Sequence, residues 1–391
     1  MKFRIDQGVL KEELGYVQGI VEKKSTIPVL SNILIETVGE NTVRFIGTDL
    51  DVTIRCEAEA EIIEPGTACI QARRLFDLVR LLPDSMIQFK NDENDWVHVS
   101  CGNSNYKLAG ISKMHFPEIP EFKAAPLSVS ADLFTNFVLH TSFAITNEQS
   151  RFTLSGAKFS IKDGKARMVT TDANRLAFIE ADVASDAESE MDALIPKKAL
   201  TELVRISRGS DSDIKFGEDS NHIYFELGSH LLITRKLSGN FPNYEMVMPK
   251  DNDKTAILGL DELKKSVMRA SLMSDDNTRS IKLTLREGEL EISAQSSEEG
   301  EGREFIPAEY SGPDLVIGFK SQYLIDFLNN VSSVSMVEDS ETETDGDKVM
   351  VKSSSEPRVR FELKDEKSQL QATIEGLTEY NYKYVVMPLR V

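Results

Sequence analysis

The residue types that most often do chemistry are sparse in this chain and badly spaced for it. Five histidines, His98, His115, His140, His222 and His230, stand far from one another and from the three cysteines, Cys56, Cys69 and Cys101. None shows the short intervals at which imidazole and thiolate close around zinc. The cysteines are too few and irregular for a disulfide framework and fit structural thiols in a reducing compartment. Asp49-Leu50-Asp51 would set two carboxylates on one strand face, but no third ligand or acid–base partner sits nearby, and solvated strand residues account for them. Residues 341–347 imitate a calcium loop with Gly346 at the sixth place. The twelfth place, which must hold a bidentate glutamate, is Lys352, so that loop is rejected. There is no nucleophile elbow, phosphate loop or dinucleotide fingerprint. The expectation is a protein with no catalytic set, no metal and no cofactor.

What must position the remaining residues is a globular chain of two or three domains: 391 residues, 40% hydrophobic and 28% charged. The first residues reach charges within a few positions, unlike a signal peptide. No apolar run approaches the roughly 18 residues of a membrane span. A cytoplasmic protein without membrane contact is expected. The net charge of −19 opposes ordinary DNA binding unless positive charge is gathered locally.

The sequence repeats one plan three times. Each third opens with a short strand and a helix with apolar residues at helical spacing: Phe3 and Ile5, then Leu10, Leu14, Val17 and Val21; Leu127 and Val129, then Leu133, Phe134, Phe137 and Val138; Ala256 and Leu258, then Leu263, Val267 and Ala270. Asp261 stands where it could cap the third of these helices. Alternating strand pairs come next at 33–36 with 43–46, 157–161 with 167–170, and 281–285 with 290–293, each split by a turn. Second helices are predicted at 72–82, 196–208 and 320–331, with further strands after them. Polar segments at 338–348 and 364–379 read as solvated loops. Domain boundaries fall near 123 and 251, giving 1–123, 124–251 and 252–391. The fold class is α+β, and repeated head-to-tail units imply a filament or a ring.

In this order the elements carry Thr26-Ile27-Pro28-Val29-Leu30-Ser31-Asn32, Gly47-Thr48-Asp49-Leu50, Ala72-Arg73-Arg74-Leu75-Phe76-Asp77, Thr170-Thr171-Asp172-Ala173-Asn174-Arg175-Leu176-Ala177, Phe241-Pro242-Asn243-Tyr244 and Tyr384-Val385-Val386-Met387-Pro388-Leu389-Arg390. Over its whole length the chain resembles the bacterial DNA polymerase III β subunit family, the sliding clamps. The resemblance implies a head-to-tail homodimeric ring of six similar domains, helices lining the hole and antiparallel sheets outside. It implies a non-enzymatic clamp that encircles duplex DNA without sequence specificity and tethers the replicative polymerase. The clamp loader and other proteins with clamp-binding motifs would dock on one face.

Such a ring demands electropositive helices. The six predicted helices together carry +5, leaving −24 elsewhere. The DNA-facing candidates are Arg73, Arg74, Arg80, Lys197, Lys198, Arg205 and Lys320, with Lys24 and Gln149 on turns that the resemblance brings near the duplex. It further implies a partner-peptide pocket from Leu154, Thr171, Ala173, Asn174, Arg175, Leu176, Pro242, Met246, Val247, Tyr323 and the tail residues Val385, Val386, Met387, Pro388, Leu389 and Arg390. The dimer interface would use Arg74, Tyr106, Leu272, Met273, Glu298 and Glu304. Ala173 and Asn174 replace a frequent Gly-His of the family, Met246 stands where some members have Arg, and Thr278 where some have Phe. A protein-binding scaffold that never meets DNA is the competing reading, opposed by the basic helices. An enzyme is the third, opposed by the missing catalytic set.

Overall fold

Local chemistry sets where elements start and reverse. Asp6 closes the first strand and caps the first helix, its Oδ1 accepting from Gly8 N at 2.8 Å and Val9 N at 3.2 Å. Asp163 and Gly164 take left-handed φ values of +53° and +71°, the primed turn that suits a two-residue hairpin, so Lys162 pairs with Lys165. The computed structural model describes residues 1–391 except 23–25, 93, 123–126, 149, 184–189, 211, 277, 299, 336–356, 378 and 391.

The first third contains β1 (Lys2–Asp6), α1 (Gln7–Ile20), β2 (Asn32–Val38), β3 (Thr42–Thr48), β4 (Val52–Glu59), β5 (Glu61–Glu64), β6 (Thr67–Gln71), α2 (Ala72–Val79), β7 (Met86–Asn91), β8 (Val97–Cys101), β9 (Ser104–Leu108) and β10 (Gly110–Ile111). The second contains β11 (Leu127–Ser130), α3 (Ala131–Thr141), β12 (Gly156–Lys162), β13 (Lys165–Thr171), β14 (Arg175–Asp182), β15 (Met191–Pro196), α4 (Lys197–Ser207), β16 (Asp213–Glu218), β17 (His222–Leu227) and β18 (His230–Arg235). The third contains β19 (Lys254–Gly259), α5 (Leu260–Ser271), β20 (Ser280–Arg286), β21 (Glu289–Ser296), β22 (Gly300–Pro307), β23 (Leu315–Lys320), α6 (Ser321–Ser335), β24 (Arg358–Leu363), β25 (Leu370–Ile374) and β26 (Asn381–Val386).

Two compact units result. Met1–Thr135 with Ile195–Leu237 holds a five-stranded sheet, β5-β1-β7-β8-β9, and a nine-stranded sheet, β10-β6-β2-β3-β4-β18-β17-β16-β11. Asn136–Leu194 with Ser238–Val391 holds an eight-stranded sheet, β15-β12-β13-β14-β26-β25-β24-β19, and a four-stranded one, β22-β21-β20-β23. The larger sheets are thus built from two neighbouring thirds each. In the first unit α1 lies so close on the sheet that a Cβ at Gly47 would stand 2.5 Å from Val17 Cγ1; only glycine admits that approach.

Four expectations are corrected. Asp261 does not cap α5: the helix starts a residue earlier, behind Gly259, and Asp261 falls in its first turn. Asp49-Leu50-Asp51 is a turn, not a strand face, because Leu50 takes φ +78° and Asp49 Oδ1 accepts from Asp51 N and Val52 N. Residues 364–379 include β25, whose Leu370 and Ala372 are fully buried; residues 338–348 lie outside the described chain. The six helices as they stand carry only +1. Of the remaining cations of the predicted helices, Arg80, Arg208 and Lys320 flank them, and Lys23 and Lys24 lie outside the described residues. Helix α2 stops at Val79 because Pro83 disfavours helical backbone at Leu82.

One core histidine makes stability depend on pH. His140 is fully buried, its Nδ1 donates to Asn136 O at 2.7 Å, and its Nε2 has no hydrogen-bond partner among the described residues. Burial pushes its pKa down. The unfolded chain takes a proton near about 6.5 that the folded chain refuses. The stability is therefore complete above that value and is lost as pH falls through the depressed folded one. Urea midpoints measured at about pH 7.5 and about pH 5.5 should separate more for wild type than for His140→Gln. Equal separations would show that another group governs the acid side.

Candidate functional site

The same turn is built twice. Thr48 Oγ1 accepts from Leu50 N at 3.0 Å, and Thr171 Oγ1 accepts from Ala173 N at 3.0 Å. Asp172 repeats Asp49, its Oδ1 accepting from Asn174 N at 2.9 Å and Arg175 N at 3.1 Å. Ala173 takes φ +77°, a left-handed conformation that favours glycine.

Arg175, at the end of this turn, is tied to three acceptors. Its Nε donates to Asp172 Oδ2 at 3.1 Å, Nη1 to Asp326 Oδ2 at 2.6 Å and Nη2 to Phe143 O at 2.8 Å. The guanidinium also lies 4.7 Å from the ring centre of Tyr323, an attractive face for a cation. The turn in turn accepts Met387 N at Asn174 O, 2.9 Å, and β23 accepts Leu389 N at Gly318 O, 2.8 Å.

Beside this anchor opens a cavity of about 170 Å³ lined by Leu154, Thr171, Ala173, Asn174, Arg175, Leu176, Pro242, Asn243, Tyr244, Val247, Gln369, Val385 and Met387. Leu176, Val385 and Tyr244 of its lining belong to a core cluster with Val169 and Phe178, against which Phe241 and Met248 also pack. The walls are mostly apolar, and flexible Met387 forms one rim, as suits short apolar segments of varied sequence.

In the first unit, α4 lies against α1. Lys198 Nζ donates to Ile20 O at 2.8 Å, the last turn of α1, and pairs with Asp49. Arg205 donates to Gly15 O, pairs with Glu202 at 3.4 Å and lies 5.5 Å from the ring centre of Tyr16. Arg73 and Arg80 are exposed and share Asp77 at 3.8 and 3.3 Å; Arg74 is exposed.

The comparisons with known proteins agree with one another. Residues 1–120 match the family description "DNA polymerase III beta subunit, N-terminal domain", 128–243 its central domain and 245–338 its C-terminal domain. A beta sliding clamp of Chlamydia muridarum is 31% identical over 331 residues, covering 84% of this chain and 90% of the relative. One of Pseudomonas aeruginosa is 29% identical over the whole of both chains. A crystal structure of the sliding clamp from P. aeruginosa superposes with a TM-score of 0.88 at 29% identity, covering 100% of each chain. One from Bartonella birtlesii bound to griselimycin gives 0.89, also at 29% with full coverage of both. The chain belongs to the DNA polymerase III beta subunit family, the beta sliding clamps.

It is accordingly a sliding clamp, a non-catalytic processivity factor. Among the described residues no helix is long and apolar enough to cross a membrane. Of the clamp's expected pocket residues, Leu154, Thr171, Ala173, Asn174, Arg175, Leu176, Pro242, Val247, Val385 and Met387 line the cavity. Met246 does not; it is 80% exposed outside it. Val386 turns into the core, Tyr323 meets the site through Arg175, and Pro388, Leu389 and Arg390 lie past its edge. Asn243, Tyr244 and Gln369 were missed. The first two belong to the Phe-Pro-Asn-Tyr motif, whereas Gln369 sits beside the strand hidden in an apparently polar loop.

The clamp's expected DNA-facing residues divide. Arg73, Arg74 and Arg80 are exposed cations, while Lys198 and Arg205 are committed to α1. Lys320 lies 5.2 Å from the Tyr323 ring, Lys197 is half-buried, and Lys24 and Gln149 lie outside the described residues. Of the expected interface residues, Tyr106 and Leu272 are 42% and 70% exposed and Glu298 is exposed. Glu304 is paired within the chain, to Arg269 at 2.5 Å.

Proposed function

We propose that this clamp acts in the cytoplasm as a head-to-tail homodimer whose closed ring surrounds duplex DNA and tethers the replicative polymerase. Its three domains, 1–123, 124–251 and 252–391, supply the repeats. The clamp loader and other proteins bearing apolar clamp-binding peptides dock in the cavity beside Arg175.

The observation that carries this reading is the repeat of strand pairings. Strand β4 of the first third pairs with β18, the last strand of the second, with Thr53 opposite Ile233 and Ile54 opposite Leu232. Strand β14 of the second pairs with β26, the last of the third, with Leu176 opposite Val385. The corresponding strand of the third, β22, and the strand β9 late in the first are both free edges among the described residues. Free edges invite another chain. Carrying the register through the repeat sets Glu301 of one copy opposite Lys107 of another, an opposite-charge cross-strand pair. It sets Gly302 opposite Tyr106. A Cβ on Gly302 would stand 3.0 Å from Met273 Cγ, so Tyr106 of the second copy would pack on Met273 and exposed Leu272, at the place where buried Leu232 faces Ile54 in the first seam.

Two identical joints close a ring. Such a ring needs no base readout, and modest phosphate contact from Arg73, Arg74, Arg80 and Lys197 lets it slide. After loader and ATP treatment, the wild-type protein should remain on nicked circular DNA and be released when the circle is cut. Leu272→Ala with Met273→Ala should weaken the dimer at least roughly 100-fold, sediment as folded monomers and not be retained. A dimer unchanged by both substitutions, or retention indifferent to linearisation, would refute the ring.

A further inference from the structure

Three metal-ligating side chains meet where α1 crosses the β4–β18 seam. Cys56 and His230 are register partners, so their side chains leave one face of the sheet next to each other. Glu13, on the buried face of α1, reaches them from above. Its Oε2 lies 2.9 Å from His230 Nε2, and one ligand atom from each of Glu13, Cys56 and His230 lies within 4.8 Å of the other two. Cys56 is fully buried and Glu13 is 8% exposed; the His230 side chain keeps 16% of its surface open. The surroundings are mainly aliphatic, with Leu10, Leu14 and Val17 of α1 and Ile54 and Leu232 of the sheet all buried, and the Arg205 guanidinium is the cation near enough to act on the Cys56 thiol. A carboxylate, a thiol and an imidazole converging in such a place need a reason, since buried charge is costly unless balanced.

We propose that Glu13, Cys56 and His230 bind one zinc ion, with water completing the set on the open side of His230. The thiolate and carboxylate would supply two negative charges and the imidazole a neutral nitrogen, so a divalent cation balances its own ligands, while nearby Arg205 is balanced by Glu202 at 3.4 Å. Sulfur and nitrogen donors favour zinc over magnesium or calcium, which take oxygen. Zinc bond lengths of about 2.0–2.3 Å put tetrahedral ligands roughly 3.3–3.8 Å apart. The Glu13–His230 contact must open by a few tenths of an ångström and the widest separation close by about one, both within reach of side-chain rotation. Tyr16, edge-on to His230 with ring centres 5.0 Å apart, restrains the imidazole plane. The ion is structural: it staples α1 to the seam that joins the strands of the first and second thirds.

The full-length protein, stripped by chelator under reducing conditions and desalted, is titrated with Zn²⁺ and Co²⁺. One zinc per chain should survive gel filtration. Cobalt should give a near-ultraviolet thiolate charge-transfer band and intense visible bands of tetrahedral geometry, both displaced by zinc. Cys56→Ser should abolish the charge-transfer band and weaken zinc binding by more than the 10- to 100-fold typical of losing a residue outside the ligand set, whereas Cys69→Ser should leave both unchanged. Where Cys56→Ser fails to fold, X-ray absorption of the zinc-loaded wild type decides, with one sulfur at about 2.3 Å and lighter donors at about 2.0 Å. No retained zinc, sulfur-free coordination, or a charge-transfer band that survives Cys56→Ser would leave only a hydrogen-bonded Glu13–His230 pair and overturn the proposal.

Discussion

Arg175→Ala is expected to lower the unfolding free energy by about 3 kcal/mol, among the largest effects available to a single substitution here. The side chain is 9% exposed and answers three acceptors on separate segments: Asp172, Asp326 and the carbonyl of Phe143. Alanine would take the guanidinium from Asp172 Oδ2, Asp326 Oδ2 and the Phe143 carbonyl, while Asp172 Oδ1 keeps its backbone donors and Asp326 Oδ1 keeps Gln322; two part-buried carboxylates losing their cation make such a loss costly. Asp326 keeps a quarter of its side chain in water, which holds the figure at the lower end of the range for buried pairs. Arg175→Lys keeps the charge but not the planar fork, so it should recover less than half of the loss. The damage would not stop at stability, because the turn that Arg175 braces also accepts Met387 N and shapes the cavity wall. Urea unfolding of the three proteins measures the effect. A change for Arg175→Ala below about 1 kcal/mol would mean that the acceptors find water at little cost and that the anchor is incidental.

The sequence made some of this legible and hid the rest for identifiable reasons. Alternation and turn residues located the hairpins at 156–171 and 280–296 because both signals are local. Asp49-Leu50-Asp51 looked like strand because alternation cannot register the left-handed backbone at Leu50. Leu370 and Ala372 passed for loop because their short strand is embedded in polar residues. The sequence could not show that Lys198 and Arg205, though 40% and 37% exposed, also reach Asp49, Ile20 O and Gly15 O, because those acceptors belong to the first third. Ten of the residues that the family resemblance assigns to a peptide pocket line one cavity, but Gln369, which lines it too, was not among them, since nothing near it in the chain belongs to the cavity. Glu13, Cys56 and His230 share no motif at all; only the pairing of β4 with β18 brings them together.

The cavity beside Arg175 gives the other large expected effect. Val247 and Met387 stand on its walls, 38% and 41% exposed, so truncating them removes surface that a docked peptide would cover without emptying the protein core. Leu176 is a poorer probe: at 3% exposure its truncation would cost fold stability as well, and a lost peptide could then be blamed on unfolding. Val247→Ala with Met387→Ala should weaken a labelled peptide from the polymerase tail by about 2–3 kcal/mol, roughly 30- to 150-fold, if both are central anchors. Removing the chain from Met387 onward should weaken it further. That deletion also discards the bonds of Met387 N to Asn174 O and Leu389 N to Gly318 O, which hold the wall in place, and the polar neighbours cannot replace its apolar contact. The β22 and β9 edges and the exposed arginines of α2 keep their residues in both variants, so dimerisation and retention on circular DNA should persist while polymerase stimulation fails. Fluorescence anisotropy titrations of wild type, the double variant and the truncation provide the measurement, with sedimentation confirming that each is a folded dimer. Equal affinities across the three would put peptide docking somewhere other than this cavity.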